Sequence, residues 1–368
     1  MSSLTLSDSC AVHGLHAIHL ENGLLRLTVL PGAGGKLWQI VYKPFGAQLL
    51  WHHPRILPAL HAAGTLFDDV WSGGWDEIFP NDEAGCIHGK PLPDHGELWA
   101  ANWYAEAFHG ADAVGIHLRC TTPVSRFQVE KTILLRPEQS VFETRYRFTN
   151  RNPVAWPFLW KLHPAFAITP HHRIDFPPMT VVREPMFPGT LGASPRRFPW
   201  PYAPTDDSRL DLREVPDLSS RAVHFFYGTK MAEGWCGITD RASGLACALR
   251  FDLGVLSGCT LFASYGGWHG LQVAVPEPAT GYPFQIEKII DAGRARWLAP
   301  GESLETSVLF SVQEGFGSIG GVDPAGRILA GDEMQFAEKT TRPPAQAARA
   351  TAKSQRQSPP QPRMPASR

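Results

Sequence analysis

The residues from Trp71 to Trp99, WSGGWDEIFPNDEAGCIHGKPLPDHGELW, gather three tryptophans, two histidines and six acidic side chains into one short stretch. Flat aromatic faces beside carboxylates and titratable imidazoles suit a cleft for a sugar, whose ring has apolar C–H faces and a rim of hydroxyls. Asp76 and Glu77, in GGWDEIF, are placed to grip hydroxyls. Trp75 offers a stacking face, and Gly73 and Gly74 allow a close backbone approach. His95, in PDHGELW, lies where a proline-bounded turn runs into a strand-like segment, with Asp94, Glu97 and Trp99 nearby. A purely structural histidine on the surface or in the core is the plain alternative.

Two later fragments carry the same kind of chemistry. In PFLWKLHPAFAI, strand alternation sets Leu159, Lys161 and His163 on one face. A lysine and a histidine inside an otherwise apolar strand are costly to bury unless their face lines a cavity. Glu277 follows the apolar run LQVAV and is fenced by Pro276 and Pro278. A carboxylate held rigidly at the end of a buried strand has its pKa raised toward the range of a working base. Glu287 is a rival carboxylate, but its neighbour Lys288 favours a solvated helical face.

Other chemistries find less support. His52 and His53 are adjacent and no HxxxH or HxH spacing occurs, so no catalytic metal is expected. No GxSxG, P-loop or helix-opening GxGxxG is present, and no cofactor is expected.

These residues must be positioned by strands. Apolar runs broken by Gly, Pro, Asn and Asp recur at Leu24–Leu30, Lys36–Tyr42, Ala113–Thr121, Phe127–Leu135 and Val141–Thr149. The second half repeats them at Ala222–Tyr227, Leu245–Phe251, Val255–Ala263, Leu271–Val275 and Ser303–Val312. Short helices are expected only over Ile286–Ala292 and Asp332–Ala337. The fold class is therefore all-β, a large antiparallel sandwich. Between Ile168 and Ser220 periodicity is lost, which reads as a long excursion across the sheet.

With 368 residues, 43% of them hydrophobic, the chain can bury a large core. Residues 1–337 read as the sandwich domain, and residues 338–368 as a disordered, basic tail rich in Pro, Gln and Ala. A net charge of −1 gives no general attraction to nucleic acid or anionic membrane. Six cysteines lie scattered without a CxxC pair, as free thiols would. The start lacks a signal-peptide pattern and no apolar run is long enough to span a bilayer, so a cytoplasmic protein with a small-molecule sugar as partner is expected.

Taken in order, NGLLRLTVLPGAGGKLWQIVYKPFGAQLLW, PDHGELWAANW, LHPAF, VAVPEPATGYP and WLAPGESLETSVLFSV resemble segments of the aldose 1-epimerase family, the galactose mutarotase-like proteins. The resemblance covers most of Asn22 to Val312. It implies a mutarotase-type supersandwich and a cofactor-free acid/base isomerase that interconverts sugar anomers. It puts His163 and Glu277 in the catalytic roles, with His95, Asp76, Trp75, Glu77, Lys161 and Trp268 around the sugar. The chain differs from the family pattern in three places. Gly96, Glu97 and Leu98 stand where an arginine often follows the first histidine, and Leu162 replaces the asparagine before the second. The family's sugar-binding aspartate has no matching position, and Asp76 or Asp240 is its candidate substitute. A binding or sensing protein without catalysis is the alternative on the same fold, and a glycoside-processing enzyme a third.

Overall fold

A computed structural model describes residues 4–331 apart from 188, 193, 206 and 207. Among these, a thirteen-stranded and an eight-stranded sheet, both antiparallel, carry the architecture. The expected strands are present with small changes at their ends: Lys36–Tyr42, Phe127–Leu135 and Leu245–Phe251 as read, and Val114–Thr121, Val141–Asn150 and Ser303–Glu314 shifted slightly. The helix at Ile286–Asp291 forms, and Gly293 beyond it takes φ +63°. The second expected helix and the 338–368 tail lie outside the described residues. No helix among the described residues is long and apolar enough to cross a membrane.

The excursion between Ile168 and Ser220 is more ordered than its lost periodicity suggests. His172–Asp175 edges the eight-stranded sheet, while Thr180–Arg183 and Arg197–Pro199 extend the thirteen-stranded one. These pieces are three or four residues long, too short to show a repeat of two.

The inner faces of the two sheets meet in one apolar core. Trp75 on the larger sheet packs against Phe142 and Phe310 on the smaller, at ring-centre distances of 6.3 and 6.1 Å. At the middle of the larger sheet lie three neighbouring strands, Trp75–Ile78, Lys161–Pro164 and Gln272–Ala279. Their register sets His163 opposite Asp76 and Lys161 opposite Ala279.

Candidate functional site

Strand alternation sorts these residues between two environments. Trp75, Glu77 and Leu162 point into the sandwich, whereas Ile78, Ala165, Val273 and Val275 form a separate apolar cluster on the outer face. Lys161, His163 and Glu277 share that outer face and line a cavity of about 240 Å³. The next two strands, Gly258–Tyr265 and Ala222–Thr229, contribute Phe262 and Phe225 by the same alternation. Pro276 and Pro278 carry no N–H. Accordingly, on its Lys161–Ala167 side the Gln272–Ala279 strand pairs only through Lys161 with Ala279, Phe166 with Ala274 and Ala167 with Val273, leaving the ladder open beside Glu277, whereas on the other side it pairs along its whole length with Gly258–Tyr265.

Loops close the cavity. His95 has φ +56° and Gly96 φ +71°, and a Cβ on Gly96 would lie 2.2 Å from the Phe79 carbonyl oxygen, so only glycine permits this turn. The buried Asn81 amide donates to the Glu83 and Pro93 carbonyls at 2.8 and 2.7 Å, locking the Asp82 loop to the His95 loop. The His95 ring stacks on Phe67 at 4.2 Å and stands 6.4 Å from the His163 ring.

The polar end of the cavity is an ion cluster. The Lys161 Nζ lies 2.5 Å from Asp82 Oδ2 and 2.7 Å from Glu277 Oε2. Asp82 Oδ1 is 3.6 Å from His95 Nε2, and Asp94 Oδ2 is 3.0 Å from His95 Nδ1. His163 Nε2 stands 3.9 Å from Glu277 Oε1, and its Nδ1 is buried without a hydrogen-bond partner.

Burial and charge divide these groups. Burial raises the Glu277 carboxyl above its ordinary range, and Lys161 opposes this without cancelling it. Burial also pushes His163 well below its usual value, helped by the charges of His95 and Lys161. His95 goes the other way, because Asp94 and Asp82 outweigh its desolvation. Asp82 is likewise desolvated, but Lys161 and His95 hold it in its ionised form. Asp94 and Asp82 thus favour the protonated form of His95, burial favours the neutral form of His163, and the Glu277 carboxyl takes up protons more readily than usual.

Of the residues singled out in the sequence, His95, Lys161, His163, Trp268 and Glu277 come together here. Trp75 and Glu77 do not. Trp75 is core, and Glu77 points into the sandwich, where it accepts from Tyr146 Oη at 2.7 Å and pairs with Lys131 at 3.3 Å. Neither can touch a ligand in the cavity, which corrects their placement around the sugar. Asp76 is on the correct face but one layer down, fully buried and 3.1 Å from the Lys36 ammonium. Asp240 lies in the other sheet and accepts from Ala242 N and Ser243 Oγ. Carboxylates that do reach the cavity are Asp68, Asp82, Glu83 and Asp94. Asp82 is the most consequential one not singled out; its position directly after FPN, in the already conspicuous segment, was the available signal. Glu97 accepts from Val124 N and Ser125 N and serves the loop. Glu287 accepts from Cys86 N.

Similar folds occur among solved structures. A candidate aldose 1-epimerase from Klebsiella pneumoniae superposes with a TM-score of 0.66 at 14% identity, covering 84% of this chain and 83% of that one. A galactose mutarotase-like protein from Clostridium acetobutylicum gives 0.61 at 12% identity, over 84% and 99%. The Slr1438 protein of Synechocystis gives 0.62 at 17%, over 84% and 99%. No protein-family model matches the chain. The chain has the galactose mutarotase-like fold, mostly antiparallel β with two short α-helices among the described residues.

Proposed function

We infer that the protein interconverts the anomers of a free aldose, with Glu277 and His163 as the proton-transfer pair. The observation that carries this is their arrangement: a carboxyl and an imidazole 3.9 Å apart on neighbouring strands, facing a cavity of about 240 Å³. That volume lies below the roughly 300–1,000 Å³ of pockets for drug-sized ligands, which favours a monosaccharide over an oligosaccharide.

In the reaction, Glu277 takes the proton from the C1 hydroxyl as the C1–O5 bond breaks, and His163, acting from the minor protonated form that its lowered pKa leaves, delivers its proton to O5 and becomes neutral. The open-chain aldehyde rotates about C1–C2, and closure with the proton transfers reversed gives the other anomer. His95, Lys161 and Trp268 hold the sugar. Anomerisation runs in both directions, so each group must act as acid in one and base in the other. Glu277 is shifted up and His163 down, each in the direction of the other's ordinary value, which suits that exchange.

One observation favours a second reading, sugar binding without turnover: Glu277 is already engaged by Lys161 at 2.7 Å. Polarimetry on freshly dissolved anomers, paired with calorimetric titration of the same sugars, separates the two. The anomerase reading expects decay faster than the spontaneous rate and its loss in Glu277→Gln. Binding with only spontaneous decay favours the second.

A further inference from the structure

The cavity has two chemically different ends. Lys161, His163, Glu277, Asp82 and His95 make one end polar. Away from His163 the wall is a continuous series of aromatic rings. Trp71 stands 5.4 Å from the His163 ring and 6.0 Å from Trp268, and Trp268 meets Phe262 edge-on at 5.3 Å. Phe262 is 6.1 Å from Phe225, which touches Phe284 at 5.8 Å and Phe187 at 5.4 Å. None of the phenylalanines offers a side-chain hydrogen bond. The hydroxyl of Tyr227, which packs in the same cluster, is spent on Glu184 at 2.6 Å and also accepts from Phe284 N. At the rim, Phe187 and Met186 line the cavity while remaining 41% and 56% exposed. Exposed apolar side chains grouped at a cavity mouth mark a binding surface.

Charge narrows the ligand further. Five carboxyl groups line the cavity, from Asp68, Asp82, Glu83, Asp94 and Glu277, against two basic groups, Lys161 and His95, already paired with them. A phosphate or carboxylate on the sugar would meet this acidic lining. The arginines of the Ile168–Ser220 excursion, Arg173, Arg183, Arg196, Arg197, Arg209 and Arg213, which could otherwise meet a phosphate, do not line the cavity.

We propose that the substrate is an uncharged 6-deoxyaldose, its hemiacetal at the Glu277–His163 end and its methyl group against the Phe262–Phe225–Phe284 wall. A hexose in the same pose would bury its 6-hydroxyl there without a partner, whereas a methyl group gains contact with the rings. The proposal rests on the sugar reading of the cavity, but it does not require turnover.

Calorimetric titration with methyl glycosides tests it, since these cannot open and so report binding alone. The matched pairs are 6-deoxy-D-galactose with D-galactose, 6-deoxy-D-glucose with D-glucose, and L-rhamnose with L-mannose, each as the methyl glycoside. In at least one pair the 6-deoxy member is expected to bind about 10- to 100-fold tighter. The 6-phosphates of the same hexoses are expected to bind no better than the hexoses. Phe262→Tyr, which places a hydroxyl in the wall, and Phe187→Ser, at the exposed rim outside the core, should each shrink the preference. Equal or tighter binding of the parent hexoses or their phosphates, or no binding by any of the set, overturns the proposal. A retained preference without anomerisation of the free sugars contradicts the proposed reaction and leaves the substrate class standing.

Discussion

An ordinary glutamate and an ordinary histidine differ by two units, 4.5 against 6.5, and burial moves Glu277 and His163 toward each other. The sign of the resulting pH dependence follows directly. Glu277 must be ionised to take the C1 proton, and its folded value lies above 4.5, so kcat/KM is lost as pH falls through that raised value. Lys161 opposes the rise. Lys161→Met should therefore move the acid limb of the pH–rate profile to higher pH, and a limb that stays put or moves down contradicts the assignment. The two tryptophans offer a second contrast at this scale. Trp268 lines the cavity and Trp75 is core, so Trp268→Ala should weaken sugar binding by about 0.5–1.5 kcal/mol. Trp75→Phe should lower stability while leaving the affinity unchanged, as calorimetry beside urea unfolding would read.

At the scale of elements, what could be read in the sequence depended on whether a strand has one wet face. Val141–Asn150 alternates between buried and exposed residues, and its pattern is plain in VFETRYRF. All four residues of Trp75–Ile78 are buried, so that strand carries no alternation and its GGWDEIF segment reads as a ligand loop. This is why Trp75 and Glu77 were expected around a sugar and are found inside the sandwich. Lys161 and His163 were legible because two polar residues spaced by two in an apolar strand imply a lined cavity. Asp82 and the aromatic wall were not, because they converge from loops and strands far apart in the chain. The buried Glu77–Lys131 pair gives this level its own test. Lys131 donates to the Gly35 carbonyl at 2.8 Å as well as pairing with Glu77, and removing it leaves a carboxylate uncompensated in the core. Lys131→Met should cost about 3–5 kcal/mol in urea unfolding. Adding Glu77→Gln should recover part of that loss, and no recovery argues against the pairing as the cause.

Across the whole molecule, acid stability follows from histidines buried as neutral rings. His224, on the inner face of its strand, has a buried Nδ1 without a partner and lies edge-on to Tyr265 at 5.1 Å. Burial lowers it from 6.5 to about 4. Below pH 6.5 the unfolded chain binds a proton there that the folded chain refuses, so stability falls as pH drops from 6.5 toward about 4. For this one group the loss amounts to about 3 kcal/mol. Urea unfolding of His224→Leu should show a smaller loss between about pH 7.5 and about pH 4.5 than the parent protein, and an equal loss removes His224 as the cause.

The central claim is that the Glu277–His163 pair opens and recloses a sugar ring. Magnetisation-exchange NMR at neutral pH, on a panel of free aldoses that includes the 6-deoxy sugars, measures that step at equilibrium without a coupled reaction. The account predicts enzyme-dependent exchange between the α and β anomeric resonances of at least one aldose, lost in Glu277→Gln while that variant still binds the sugar. Exchange at the spontaneous rate across the panel, or undiminished exchange in Glu277→Gln, would contradict it.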